Sequence, residues 1–236
     1  MMPLSLAELG RPTSLAGQRI LRVMGALGNL FPDGGLRRGS TVTVAGTGLG
    51  TGATSLLLAL LAGPSAEGSW CAAVGLPRLG LVAAAELDIR LSRLVLVPTP
   101  GPSWPTVTAA LLDACDLVAV QPPTRVRLMD ARRLAARARE RGAVLVVAPG
   151  GGIWPEVPDV RLSALGGQWH GLGVGHGHVQ GRWLEVEAAG RRGADRMVRA
   201  ALWLPAGKLP APEPPLGPGG RLGDAAWPVA TGEATG

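Results

Sequence analysis

The sequence has no tyrosine, a single phenylalanine at Phe31 and a single lysine at Lys208. Its aromatic surface therefore rests on seven tryptophans and its positive charge on arginine. The two cysteines, Cys71 and Cys115, both sit in apolar runs, which argues against a disulfide framework and for buried free thiols. Apolar runs such as Ser55 to Ala62 fall short of the roughly 18 residues that cross a bilayer. The opening residues show no basic segment followed by an apolar core, so the reading is a cytoplasmic protein with no membrane partner.

What is present fits a globular chain. Across 236 residues, 47% are hydrophobic and 17% charged, enough to bury one α/β core. The net charge is +6. Arginine suits phosphate contacts and anionic partners, while a GC-rich coding bias also accounts for its use in place of lysine. The basic balance is compatible with nucleic acid or an acidic partner.

Along the chain, residues 1–40 read as a helical lead-in, with Ile20, Val23, Met24, Leu27 and Leu30 at helical spacing. "FPDGGLRRGS" ends it through Pro32 and the Gly34-Gly35 turn. Residues 41–205 form the main domain. Strands are predicted at Thr41–Gly46, Trp70–Gly75, Arg93–Val97, Asp116–Gln121 and Ala143–Ala148. Helices are predicted between them at Ala53–Leu61, Arg78–Leu87, Trp104–Ala114 and Arg125–Arg141. Continuous apolar strands alternating with helices imply a mostly parallel sheet with helices on both faces. After Gly150, "DVRLSAL", "HGLGVGHGHV", "RWLEVEAAG" and "RAALWLP" read as an antiparallel extension of that sheet. Residues 206–236, dense in proline and glycine, read as a flexible tail with Trp227 as a short docking motif within it.

"TVTVAGTGLGTGATSLLLAL" has the outline of a phosphate loop: an apolar strand, a glycine turn, then an apolar helix opened by Thr54 and Ser55. A working loop is G-x-x-x-x-G-K-[ST], whose lysine neutralises the β and γ phosphates. Here Ala53 replaces that lysine, and Thr47 stands where the first glycine belongs. The glycines at 46, 48, 50 and 52 alternate and never satisfy G-x-G-x-x-G, so a dinucleotide fold is not indicated either. Two further requirements fail. The strand "CDLVAVQPP" ends in Gln121 where an aspartate would organise Mg²⁺, and Pro77 stands where a water-activating glutamate would follow the second strand. Gly46, Gly48, Gly50, Gly52, Ala53 and Thr54 are thus read as a vestigial loop. No catalytic residue, metal site or cofactor is assigned.

The order "GGLRRGSTVTVAG", glycine loop, helix, "WCAAVGLPRLGLVAAAELDIRLSRLVLVPTPG", helix, "CDLVAVQPP" resembles the RecA ATPase core. "GRWLEVEAAGRRG" and "RAALWLP" resemble its closing strands, so the likeness covers about residues 30 to 205. Within that group the chain is similar to the shortened, motif-poor ImuA-type (ImuA-prime) factors of actinobacteria, related in character to SulA-like proteins. The resemblance implies a non-catalytic adaptor in SOS-induced mutagenic translesion synthesis. Its implied partners are an inactive, ImuB-like Y-family polymerase homologue and an error-prone DNA polymerase, with DNA as a further candidate. A DNA- or ATP-binding protein with residual activity, and a SulA-like inhibitor of cell division, are the alternatives.

Three other features bear on partners. Arg132, Arg133, Arg137, Arg139 and Arg141 give the fourth helix a basic outer surface, suited either to solvent or to DNA phosphates and acidic proteins. His176 and His178 share one strand face near His170, in a glycine-rich stretch suited to a hairpin, to nucleic-acid contact or, less completely, to metal. Trp70, Trp183 and Trp203 read as core, whereas Trp104, Trp154 and Trp227, beside prolines, read as interface anchors.

Overall fold

The computed structural model describes residues 19–46, 50–173, 176–191 and 197–204. The 206–236 tail, Gly48 and Trp227 lie outside the described residues.

The apolar stripe from Ile20 to Leu30 does not form the expected helix. It splits into strand β1 (Ile20–Arg22) and a 3-10 helix over Gly25–Leu30. Two glycines within that segment, Gly25 and Gly28, disfavour an α-helix. β1 finds an alternative in antiparallel pairing with β2 (Gly35–Arg37), Leu21 opposite Leu36. Leu21, Leu27, Leu30, Phe31 and Leu36 are all buried, so this segment belongs to the core.

The remaining strands form one eight-stranded sheet. They are β3 (Thr41–Gly46), β4 (Cys71–Val74), β5 (Leu94–Val97), β6 (Leu117–Val120), β7 (Val144–Val147), β8 (Val160–Gly173), β9 (His176–Gly190) and β10 (Val198–Leu204). Their order is β10-β9-β8-β3-β7-β6-β4-β5. Pairing is parallel from β8 through β3 to β5 and antiparallel across β8, β9 and β10. The expected mostly parallel sheet with an antiparallel extension is therefore present.

Alternation along the strands divides the core. Cys71, Leu117, Ala119, Val144 and Val146 face helix α1 (Ala53–Ala66) and the β1–β2 segment. Ala72, Val74, Val118, Val120 and Leu145 face the opposite way, towards α3 (Trp104–Ala114) and α4 (Leu128–Arg141). A short helix α2 (Leu81–Glu86) precedes β5. α1 is apolar almost all round because it is covered on both sides, with Leu56 to Leu61 buried. α4 is amphipathic, burying Ala131, Leu134, Ala135 and Ala138, and Gly142 ends it in the left-handed region at φ 67°.

At the amino-terminal end of the sheet, Arg38 donates to Asp116 at 2.9 Å, and Asp116 also accepts from the Trp70 amide at 3.0 Å. Asp116 is thus engaged far from the glycine loop, at the start of β6. Trp183 and Trp203 are buried as expected, and Trp70 is half-buried against the α3–α4 side. Trp104 corrects its assignment as an interface anchor: it is 6% exposed and packs into the core at the start of α3.

Candidate functional site

The carboxyl ends of β3, β4, β6 and β7 open onto a cleft of about 1260 Å³. In open α/β sheets this end is where ligands bind, because loops diverge there and leave a crevice. One wall is the glycine loop and the start of α1. Gly52 caps α1 in the left-handed region at φ 93°, and Ala53 and Thr54 follow. Ala53 lines the cleft but is itself buried, so the position aligned with a phosphate-binding lysine brings a methyl group and no charge. A side chain on Gly46 would fall on the Thr51 hydroxyl, so the loop turns back closely on the end of β3.

The second wall is built by β9. Arg182 on β9 is 4% exposed and directs its guanidinium at the glycine loop. Its Nη2 donates to the Gly50 carbonyl at 2.7 Å. Its Cζ and Nη1 lie 2.8 and 2.9 Å from where a Cβ on Gly52 would stand, which only glycine at this φ accommodates. The guanidinium is stacked over Trp169 at 4.7 Å from the ring centroid, a cation–π contact. Its buried Nε has no hydrogen-bond partner, and burial pushes the guanidinium pKa below its usual value.

The far wall comes from the ends of β6 and β7. Gln121 Nε2 donates to the Pro149 carbonyl at 2.7 Å, clasping the loop after β7. Pro77 lines the same cleft from the end of β4 and is exposed. Arg78, Arg161 and Arg182 line the cleft, and among the described residues no aspartate or glutamate does. The donor set for Mg²⁺ with a nucleotide is therefore a poor fit. Magnesium is held through carboxylates and phosphates, and the position expected to supply a carboxylate supplies an amide hydrogen instead.

The vestigial loop positions Gly46, Gly50, Gly52, Ala53 and Thr54 thus converge on one cleft with Gln121 and Pro77, as the sequence order predicts. Arg182 is absent from that prediction. Its only local signal is a charged residue inside the apolar strand "GRWLEVEAAG".

The other predicted contacts divide. Arg137 donates through Nε to Asp113 Oδ1 at 2.6 Å and through Nη2 to Oδ2, and Arg141 Nε reaches the same Asp113 at 3.0 Å. These two arginines hold α4 to α3. Arg132 and Arg133 are exposed without a partner among the described residues, and Arg139 turns towards the opposite end of the sheet. "HGLGVGHGHV" is not a single strand but divides between β8 and β9, with His176 opposite Gly173. The His178 residue is exposed, and the His170 ring packs edge-on against Trp203 at 5.4 Å. Among the described residues no cluster of three metal-ligating side chains is present. Also among these, no helix is long and apolar enough to cross a membrane.

The fold and cleft define an α/β protein with a glycine-loop crevice at the carboxyl ends of a mostly parallel sheet. Residues 29–156 match the MT3502 N-terminal domain family, and the chain belongs to that family. The uncharacterized protein Rv3395c of Mycobacterium tuberculosis is 36% identical over 160 residues, covering 67% of this chain and 75% of that protein. The family match includes the glycine loop, Pro77 and Gln121, and ends before Arg161 and Arg182.

Proposed function

We propose that this protein is a RecA-like pseudo-ATPase serving as a non-catalytic, ImuA-type accessory factor in SOS-induced translesion synthesis. In that role it binds an ImuB-like Y-family polymerase homologue and, through it, an error-prone DNA polymerase. The observation that carries the non-catalytic part is the Gln121–Pro149 clasp: the position that would organise Mg²⁺ needs a donor here, not a carboxylate. The RecA-like part is supported by β3, with its glycine loop, standing centrally among parallel strands while the antiparallel pairs lie at one edge. A relative in Mycobacterium accords with the actinobacterial setting of ImuA-type factors. The place in mutagenesis rests on the sequence resemblance.

Co-expression with the Y-family polymerase homologue from the same genome tests the adaptor role. A stoichiometric complex on size exclusion is expected, and its absence overturns the reading. Calorimetry with Mg-ATP tests the pseudo-ATPase, and micromolar binding with turnover overturns it. A second reading, binding of an anion or nucleotide without catalysis, is favoured by Arg78, Arg161 and Arg182 around the cleft. Binding in the same calorimetry without turnover would select it.

A further inference from the structure

The end of the sheet opposite the cleft carries a second cavity, about 170 Å³ in volume. It is built by the turn between β2 and β3, the end of α4 and the residues flanking β8 and β9. Gly39 sits in that turn at φ 80°, and a Cβ there would stand 3.2 Å from Arg139 Cα, so the turn packs directly on the α4 backbone. Gly39 N donates to the Ala143 carbonyl at 3.1 Å, and Arg38 is tied to Asp116, which fixes the turn against the helix end. Arg191 arrives from the other side, its amide donating to the Asp159 carbonyl at 2.9 Å.

Six charged residues line this notch: Arg37, Arg38, Arg139, Arg191, Asp33 and Asp159. Arg38 is neutralised by Asp116, and Asp159 Oδ2 accepts from the Thr41 amide at 2.9 Å. Among the described residues, no side-chain hydrogen bond or ion pair engages Arg37, Arg139 or Arg191. Three arginines from separate parts of the chain, with no side-chain partner among the described residues, therefore line one cavity of about 170 Å³. With Asp33 and Asp159 counted against them, the uncommitted charge is a single positive one.

We infer that this notch holds a phosphodiester group of a single-stranded nucleic acid. A phosphodiester carries one negative charge, matching the residual charge of the notch. Its two free oxygens and its ester oxygens can be shared among forks approaching from several directions. A carboxylate offers two oxygens in one plane, whereas the tetrahedral phosphodiester presents its oxygens in several directions. Arg132 and Arg133 lie exposed on the same helix as Arg139, so a strand seated in the notch has further cations within its reach. This site lies at the amino-terminal end of the strands and does not depend on the adaptor reading.

The test uses the full chain and a fluorescent oligothymidylate, titrated at several salt concentrations. In the combined Arg37→Gln, Arg139→Gln, Arg191→Gln variant, affinity is expected to fall at least tenfold. The log–log salt slope becomes shallower by about 0.7 for each phosphate no longer held. The three side chains are surface groups; circular dichroism checks that the variant is folded. The matching Arg→Lys variant keeps the charge and is expected to keep the slope while losing part of the affinity. Unchanged affinity and slope in the folded Gln variant overturn the inference, as does failure of the natural chain to bind the oligonucleotide. Two competitors distinguish other ligands. Displacement by millimolar inorganic phosphate as effective as by oligonucleotide would assign the notch to the free anion. Displacement by an oligoglutamate peptide at equal charge would assign it to an acidic protein. Either result overturns the strand reading.

Discussion

Arg182 Nη2 donates to the Gly50 carbonyl at 2.7 Å, joining the sheet extension to the glycine loop across 132 residues of sequence. The same guanidinium lies against Gly52 and over Trp169. A cation therefore does stand beside this loop, supplied from β9 rather than from α1. It is bonded to a main-chain oxygen, so it holds the loop's shape as well as lending it charge.

Replacing Arg182 with methionine retains much of the packing and removes the fork. The lost bond to Gly50 from a charged donor is worth about 1.5–3 kcal/mol, and the stack on Trp169 about 0.5–2. The unpartnered Nε works in the other direction, because its desolvation is relieved by the substitution. The net expectation is a loss of about 1–3 kcal/mol in urea unfolding. Amide exchange should quicken at the start of α1 more than in β6. Unchanged exchange at α1 would mean that the loop does not depend on Arg182.

Gln121→Glu tests the clasp directly. The introduced carboxylate would face the Pro149 carbonyl with no hydrogen between them, costing about 1–3 kcal/mol at neutral pH. Its folded pKa would be raised, because only the protonated form donates. The folded state then binds the proton more tightly than the unfolded one, so stability is recovered as pH falls through the raised folded value and is fully restored below the unfolded value of about 4.3. Urea midpoints at pH 7 and pH 3.5, set beside those of the natural chain, measure both effects. A variant as stable as the natural chain at pH 7 would remove the structural account of this position.

Much of this architecture was legible in the sequence because short, unbroken apolar runs between helical segments have few alternatives. β3 and α3 have the predicted bounds, and β4 to β7 lie within their predicted ranges. The stripe from Ile20 to Leu30 has helical spacing, but Gly25 and Gly28 weaken a helix there and β2 offers a pairing partner fifteen residues away. The long β8–β9 ladder was obscured by its glycines and bulges, at Ala164/Gly166 and His170/Leu172, which break the period of two. The meeting of Ala53, Gln121 and Pro77 at one cleft follows from their places at the strand ends. The contact of Arg182 with Gly50 could not be read, since it depends on sheet order rather than on any local motif.

The two cysteines predict how stability falls in alkali. Burial is the main cause that pushes the Cys71 thiol up, aided by Cys115 and Asp116, and burial with Asp116 pushes Cys115 up to about 12. An unfolded thiol ionises near 8.5. Between the two values the unfolded chain loses protons that the folded chain keeps, so stability is fully present below about pH 8.5 and declines above it. The slope from each thiol approaches about 1.4 kcal/mol per pH unit. Both thiols should resist a thiol reagent at pH 8 until the protein is unfolded in guanidinium. Rapid labelling of the native protein would contradict their burial. A double Cys→Ala variant should show a flatter alkaline profile between pH 9 and 11.

Asp113 makes the opposite prediction at the acid end. Hydrogen bonding from Arg137 is the leading cause that holds its carboxyl below the usual range, opposed by some burial and helped by the charges of Arg137 and Arg141. The stabilisation is therefore present above the unfolded value of about 3.9 and is lost as pH falls through the depressed folded value. The pair is partly exposed, with side chains 37% and 33% accessible, so screening keeps its contribution small. Asp113→Asn should lower Tm by only about 1–2 °C at pH 7 and low salt. The difference should close at high salt, and again as pH falls through the depressed folded value and the natural carboxyl takes up its proton. The same substitution frees Arg137 and Arg141, raising the cationic density of α4. If that helix contacts a nucleic-acid strand beyond the notch, oligonucleotide affinity at low salt should rise. A rise that disappears in an Arg132→Gln, Arg133→Gln background would place the contact on the outer face of α4. An unchanged affinity would confine binding to the notch itself.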